Sequence, residues 1–133
     1  MQEYDKMMIK GDKMIIERGE GFEHEKNDCI IKAITAVTNY SYFMIHKTLK
    51  YYGRKDRHGI PFFIIHKKVF KKLNIKFLLI KRSGTVRKLI KQFPEGKIIC
   101  LKRGHLFAVI NSKILDTTSE NCIIKYAWLI NEY

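Results

Sequence analysis

Over most of the first two thirds of the chain, apolar residues recur at helical spacing; in the last third they alternate or run together. Ile30, Ala33, Ile34 and Val37 fall three and four apart behind Asn27-Asp28-Cys29, a spacing that turns one face of a helix toward a core. Asn and Asp side chains accept the unpaired N–H groups of a first helical turn, so they mark its start; Asn39 ends it. Ser41 caps a second helix carrying Phe43, Ile45, Leu49 and Tyr52 and stopped by Gly53. Pro61 suits the first turn of a third, through Ile64, Val69, Phe70 and Leu73. Ile75 to Ile80 reads as a strand. Gly84-Thr85 opens a short helix with Val86, Leu89, Ile90 and Phe93, closed by Pro94-Glu95-Gly96.

From Lys97 the period changes to that of strands: Ile98–Leu101, His105–Ile110, Lys113–Leu115 and Cys122–Ile130, with Arg103-Gly104 and Asn111-Ser112 where hairpin turns belong. Helices first and an antiparallel sheet last give an α+β domain, with helices packed on a C-terminal antiparallel sheet. Near the N-terminus Met7-Met8-Ile9 and Met14-Ile15-Ile16 flank Gly11-Asp12, the pattern of a tight hairpin. We therefore divide the chain into an N-terminal hairpin extension, residues 1–20, and a main domain, residues 21–133.

The length of 133 residues is that of one such domain, and a hydrophobic fraction of 46% is that of a folded chain. No apolar run approaches the roughly 20 residues that cross a bilayer. The first six residues do not resemble a signal peptide, and Cys29, Cys100 and Cys122 form no close pair; free thiols in a cytoplasmic setting are expected. Charge is unevenly spread. Residues 1–28 carry eight acidic and five basic side chains, a net of −3, and the rest carry 21 basic and five acidic, a net of +16. A field of that sign favours acidic partners and substrates. The run from Lys47 to Lys72, with Tyr51, Tyr52, Arg54, Lys55, Arg57 and His58, can meet nucleic acid through phosphate contacts and stacking. It reads first as a solvated helix face, because no helix-turn-helix, zinc-finger or RNA-recognition signature accompanies it.

Three residues carry candidate chemistry. Cys29 stands at a helix N-terminus, where unpaired N–H groups and the partial positive charge of the helix end stabilise a thiolate and can hold an oxyanion. Alone it would read as a buried cysteine. His105 opens a strand and Asp116 closes the next, so two neighbouring antiparallel strands bring them to one edge of the sheet. A thiol nucleophile needs such a base, and the base needs an orienting group. Cys100, within Ile98-Ile99-Cys100-Leu101, and Cys122, beside Ile123, read as structural. His46 and His66 fall on basic helix faces and read as solvated; His24, between Glu23 and Glu25, does not make a metal site.

With Asn27-Asp28-Cys29 opening a helix, Gly84-Thr85-Val86-Arg87, Arg103-Gly104-His105-Leu106 and Asp116-Thr117, residues 20–130 resemble the papain-like cysteine peptidase superfamily. The likeness is to its small phage- and bacteria-encoded members and, more distantly, to the bacteriocin-processing and NlpC-like peptidases. The resemblance implies a papain-like fold with Cys29 as nucleophile, His105 as base and later acid, and Asp116 as orienter. It implies no cofactor and no metal. The oxyanion glutamine of the family falls six positions before the cysteine, where this chain has Glu23, a poor donor when ionised; Asn27, with the Cys29 N–H, is the substitute. The expected activity is that of a thiol-dependent peptidase or isopeptidase acting on a protein or peptide, with no membrane partner. Two other readings stay open: a basic, phage-like binding or inhibitor protein on an inactive papain-like scaffold that contacts nucleic acid, and a transglutaminase-like acyltransferase using the same triad.

Overall fold

A computed structural model of the chain describes every residue except 1–6, 11–12, 17, 19–21, 23–24, 56, 59, 62–63, 117 and 133. Two short strands, β1 (Met7–Lys10) and β2 (Lys13–Ile16), pair antiparallel as the expected hairpin; its turn residues Gly11 and Asp12 lie outside the described residues. Three helical elements follow: α1 (Cys29–Val37), α2 (Tyr42–Tyr51), and α3, a π-helical turn (Ile65–Val69) that continues as α-helix (Phe70–Lys72). Then come β3 (Lys76–Thr85), α4 (Val86–Gln92), β4 (Lys97–Lys102), β5 (His105–Ile110), β6 (Lys113–Ile114) and β7 (Ile123–Glu132). The last five strands form one antiparallel sheet in the order β3-β7-β4-β5-β6. The architecture is α+β.

Both faces of this sheet are covered, which explains why β5 is a continuous apolar run rather than an alternating one. Leu106, Ala108 and Ile110 pack with Ile99, Trp128 and Ile130 against α1, α2 and α3. The intervening Phe107 and Val109 join Ile98, Cys100, Ile124 and Ala127 under Val86 and Leu89 of α4. The two-residue period of the strands thus divides one hydrophobic stretch between two cores. Each buried Ile or Leu contributes on the order of 1.5–3 kcal/mol.

Caps and turns follow local chemistry. The Ser41 hydroxyl accepts from Met44 N–H at 3.1 Å and that of Thr85 from Lys88 N–H at 3.2 Å, fixing the starts of α2 and α4. Asn111 and Ser112, at φ 49° and 70°, make the two-residue turn between β5 and β6, the left-handed pair that suits a tight hairpin. Gly104, at φ 70°, turns β4 into β5. That turn delivers His105 to the first position of its strand.

Three expectations are corrected. His46 is buried rather than solvated: its Nε2 lies 2.8 Å from Glu25 Oε2. His66 is half-buried, its Nδ1 accepting from Trp128 Nε1–H at 3.3 Å. Arg54, read with its run as a solvated face, is 3% exposed and donates to Glu25 Oε1 at 2.9 Å. Glu25 Oε1 also accepts from Arg57 N–H at 2.6 Å. Burial pushes the Glu25 carboxyl up, but Arg54, His46 and these backbone donors outweigh it and hold it at about 2. Among the described residues no helix is long and apolar enough to cross a membrane.

Candidate active site

α1 is a central helix whose sides are almost all buried. Of its nine residues only Cys29 and Lys32 are partly exposed. Three apart on a helix, they share one face, which looks into a cavity of about 440 Å³ lined also by Asp28, His105, Leu115 and Asp116. Every other α1 residue serves packing, so the helix is anchored by its core side and presents its N-terminal thiol from the other.

The residue before the cysteine does something different from what its type suggests. Asp28 occupies the N-cap position but makes no cap hydrogen bond. It is buried, and its carboxylate accepts from Arg18 Nε and Nη2 at 2.7 and 2.9 Å and from Tyr42 Oη at 2.6 Å. Burial raises the Asp28 carboxyl; the Arg18 and Tyr42 hydrogen bonds overcome this and leave it lowered. A buried carboxylate needs such partners, and these two tie the N-terminal segment and α2 to the root of α1. Asn27, at φ 53°, makes the tight bend before the helix.

Across the cavity, His105 Nε2–H lies 2.9 Å from Asp116 Oδ2. The same carboxylate oxygen accepts from the Thr118 N–H at 3.2 Å and from the Thr118 hydroxyl. Asp116 is therefore held by its own turn while it orients the ring. With Nε2 engaged, Nδ1 is the nitrogen free to exchange a proton with a thiol. The His105 ring and the Cys29 side chain line the same cavity, and Cys29 Sγ accepts from Leu106 N–H at 3.4 Å. α1, the start of β5 and the segment after β6 thus bring Cys29, His105 and Asp116 to one cavity.

The electrostatics are reciprocal. Burial pushes the Cys29 thiol up, but the hydrogen bond and charge of His105 and the N–H groups of Leu106 and Ile30 bring it below its ordinary value. The Asp116 hydrogen bond, and after it that of Cys29, raises His105 to about 9. Each partner favours the charged form of the other. Cys100, wholly buried, is pushed up by desolvation.

No protein-family model matches the chain. Neither a curated protein nor a solved structure matches it.

Glu23 lies outside the described residues, as does His24. Asn27 borders the cavity, but its Nδ2–H donates to the Arg57 carbonyl at 3.0 Å. That bond ties one of the two amide N–H groups of Asn27 to Arg57. The N–H groups of the first turn of α1 remain the donors at hand, since its first intrahelical bond runs from Lys32 N–H to the Asp28 carbonyl at 3.1 Å. Among the described residues no three His, Cys, Asp or Glu side chains converge in a way that would hold a metal ion. Sequence reasoning missed Lys32, although its i+3 relation to Cys29 was available. It also missed Arg18 and Tyr42, 10 and 14 positions from Asp28, for which no local pattern exists.

Proposed function

We propose that the chain is a thiol-dependent acyl-transfer enzyme of papain-like design that hydrolyses a peptide or isopeptide bond. The observation that carries this reading is one cavity in which a helix-tip thiol with a lowered pKa meets an imidazole held by a carboxylate at 2.9 Å. A buried structural cysteine, such as Cys100, has none of these partners and is shifted the other way.

The reaction runs from the ion pair. The Cys29 thiolate attacks the substrate carbonyl carbon, a C–S bond forms, and the electron pair of the C=O bond becomes an oxyanion facing the first-turn N–H groups of α1. The C–N bond then breaks, and the His105 proton passes to the leaving amine. Neutral His105 next takes a proton from water, which attacks the thioester; the C–S bond breaks, the acid product leaves, and the proton returns to the Cys29–His105 pair. Asp116 holds the ring in the tautomer and orientation both halves need.

The test is alkylation by iodoacetamide at neutral pH with mapping of the adducts, followed by turnover on a peptide library with Cys29→Ala as the control. Cys29 should react at least roughly tenfold faster than Cys100, given the opposite shifts of the two thiols. Cys29→Ala should fold normally and hydrolyse nothing. Labelling of Cys29 no faster than of Cys100 and Cys122 would remove the reading.

A further inference from the structure

The cavity that receives the substrate is not electrically neutral in its partnering. Asp28 is committed to Arg18 and Tyr42, and Asp116 to His105 and Thr118. Lys32, half-buried on the same face as Cys29, makes no hydrogen bond or ion pair with any described residue. Its ammonium has the Asp28 and Asp116 carboxylates and the Cys29 sulfur as anionic neighbours but no direct hydrogen bond to them, and the rest of α1 buries apolar side chains. Nothing in the packing calls for an ammonium there.

A second cavity, of about 310 Å³, adjoins the first and shares Cys29, Asn27, Gly104 and Leu106 with it. It is lined by Ile30, Ile60, Leu101 and Tyr126, with Lys102 and Lys125, and has neither His105 nor Lys32 in its wall. The two cavities therefore give the two halves of a substrate different places. Proton delivery to the leaving amine requires that amine to sit beside His105, which is in the first cavity. The acyl half is left with the second, more apolar one.

We propose that the substrate carries a carboxylate on its leaving-amine half, which docks on the Lys32 ammonium while an apolar acyl half fills the cavity around Ile60 and Tyr126. This rests on the acyl-transfer reading of Cys29 and His105. The carboxylate belongs either to an acidic side chain or to a chain terminus. In both cases it gives the Lys32 ammonium a direct ion pair in the substrate complex, a charge-assisted contact in a partly desolvated place. The state of Lys32 agrees: burial holds its ammonium below the ordinary value despite Asp28, Asp116 and Cys29 nearby, and an arriving anion would reverse that.

The experiment uses three bromoacetyl probes whose amine halves differ: bromoacetyl-aspartyl amide, bromoacetyl-alanine with a free terminus, and neutral bromoacetyl-asparaginyl amide. Cys29 displaces bromide from the probe, a C–S bond replacing C–Br, and the adduct is quantified by mass. The readout is the ratio of carboxylate-probe to neutral-probe rates, in the wild type and in Lys32→Met and Lys32→Arg. We expect one carboxylate probe to outpace the neutral one by roughly tenfold or more. The ratio should fall toward one in Lys32→Met, persist in part in Lys32→Arg and shrink with added salt. The faster of the two carboxylate probes identifies the source. A neutral probe that fails to select Cys29 over Cys100 and Cys122 would sink the enzyme reading itself. Selective neutral labelling with no carboxylate preference, or a preference unchanged in Lys32→Met, would overturn the Lys32 assignment alone.

Discussion

Replacing Asp116 by Asn keeps the shape of the orienting residue and removes its charge. In the wild type the Asp116 hydrogen bond is the largest cause raising His105 from an ordinary 6.5 to about 9. An opposite charge within hydrogen-bond reach is worth roughly one to three pKa units to its partner. Taking one to two units away places His105 in the variant between roughly 7 and 8. At pH 8 its imidazolium fraction then falls from about nine tenths to between about a half and a tenth, by the ordinary titration relation. The thiol follows, because His105 is the main influence lowering it, so alkylation of Cys29 by iodoacetamide at pH 7 should slow by roughly tenfold. The direction of the stability effect can be worked out as well. A group whose pKa rises on folding stabilises below its unfolded value and loses that contribution as pH climbs. The wild type should therefore lose stability, relative to Asp116→Asn, between about pH 6.5 and 9. The assays are the His105 ring-proton titration by NMR, the pH profile of Cys29 alkylation, and urea denaturation at the two ends of that window. A His105 that titrates near 6.5 in the wild type, or one unmoved by Asp116→Asn, would refute the reasoning.

Three further outcomes are expected. Glu25→Gln leaves the buried Arg54 and His46 with a neutral partner and should cost about 3–5 kcal/mol in urea denaturation; in the wild type this network should stabilise above about pH 4.5 and fail as pH falls toward 2. Gly104→Ala places a Cβ in open space at φ 70°, so its cost is conformational, about 1–2 kcal/mol of stability. Because Gly104 turns the chain into His105, the variant should also label Cys29 more slowly, and Gly104→Asn, which tolerates that φ, should recover part of both losses. Tyr42→Phe removes the 2.6 Å bond to Asp28 and should cost about 1–3 kcal/mol, seen as a lowered Tm.

The elements easiest to read from sequence were those whose signals are local. The i, i+3, i+4 spacing of Ile30, Ala33, Ile34 and Val37 marked α1, and the β5–β6 turn at Asn111-Ser112 fell where two left-handed residues stand. His105 and Asp116 could be placed side by side because an antiparallel hairpin converts a distance of 11 positions into adjacency. What was not legible was of another kind. β7 inserts between β3 and β4 rather than beside β6, and chain order carries no record of that choice. The π-helical turn at Ile65–Val69 interrupts a helix whose apolar spacing gave no sign of it. His46 and Arg54 looked solvated because hydropathy sorts charges to the surface, whereas their burial depends on Glu25, 21 and 29 positions away.

The Asp28 correction bears most directly on the chemistry. Asn-Asp before an apolar run reads as a helix cap, and the reading was right about where α1 begins and wrong about what Asp28 does. A cap would have placed a carboxylate against the first-turn N–H groups, where it would compete with an oxyanion and oppose a thiolate one residue away. Instead Arg18 draws that charge aside as an ion pair and the Tyr42 hydroxyl hydrogen-bonds it. The first turn of α1 keeps its positive end for the sulfur, and Asp28 can be anionic next to Cys29 without raising its pKa appreciably. This predicts an inverse effect for Arg18→Met. Freed of its partner, the Asp28 charge should act on Cys29, raise the thiol pKa and slow alkylation at neutral pH by several-fold, roughly the effect of a half to one pKa unit. Arg18→Lys, which keeps the charge but not the two-pronged contact, should fall between. A Cys29 alkylation profile unchanged in Arg18→Met would mean that the Arg18 clamp serves stability alone.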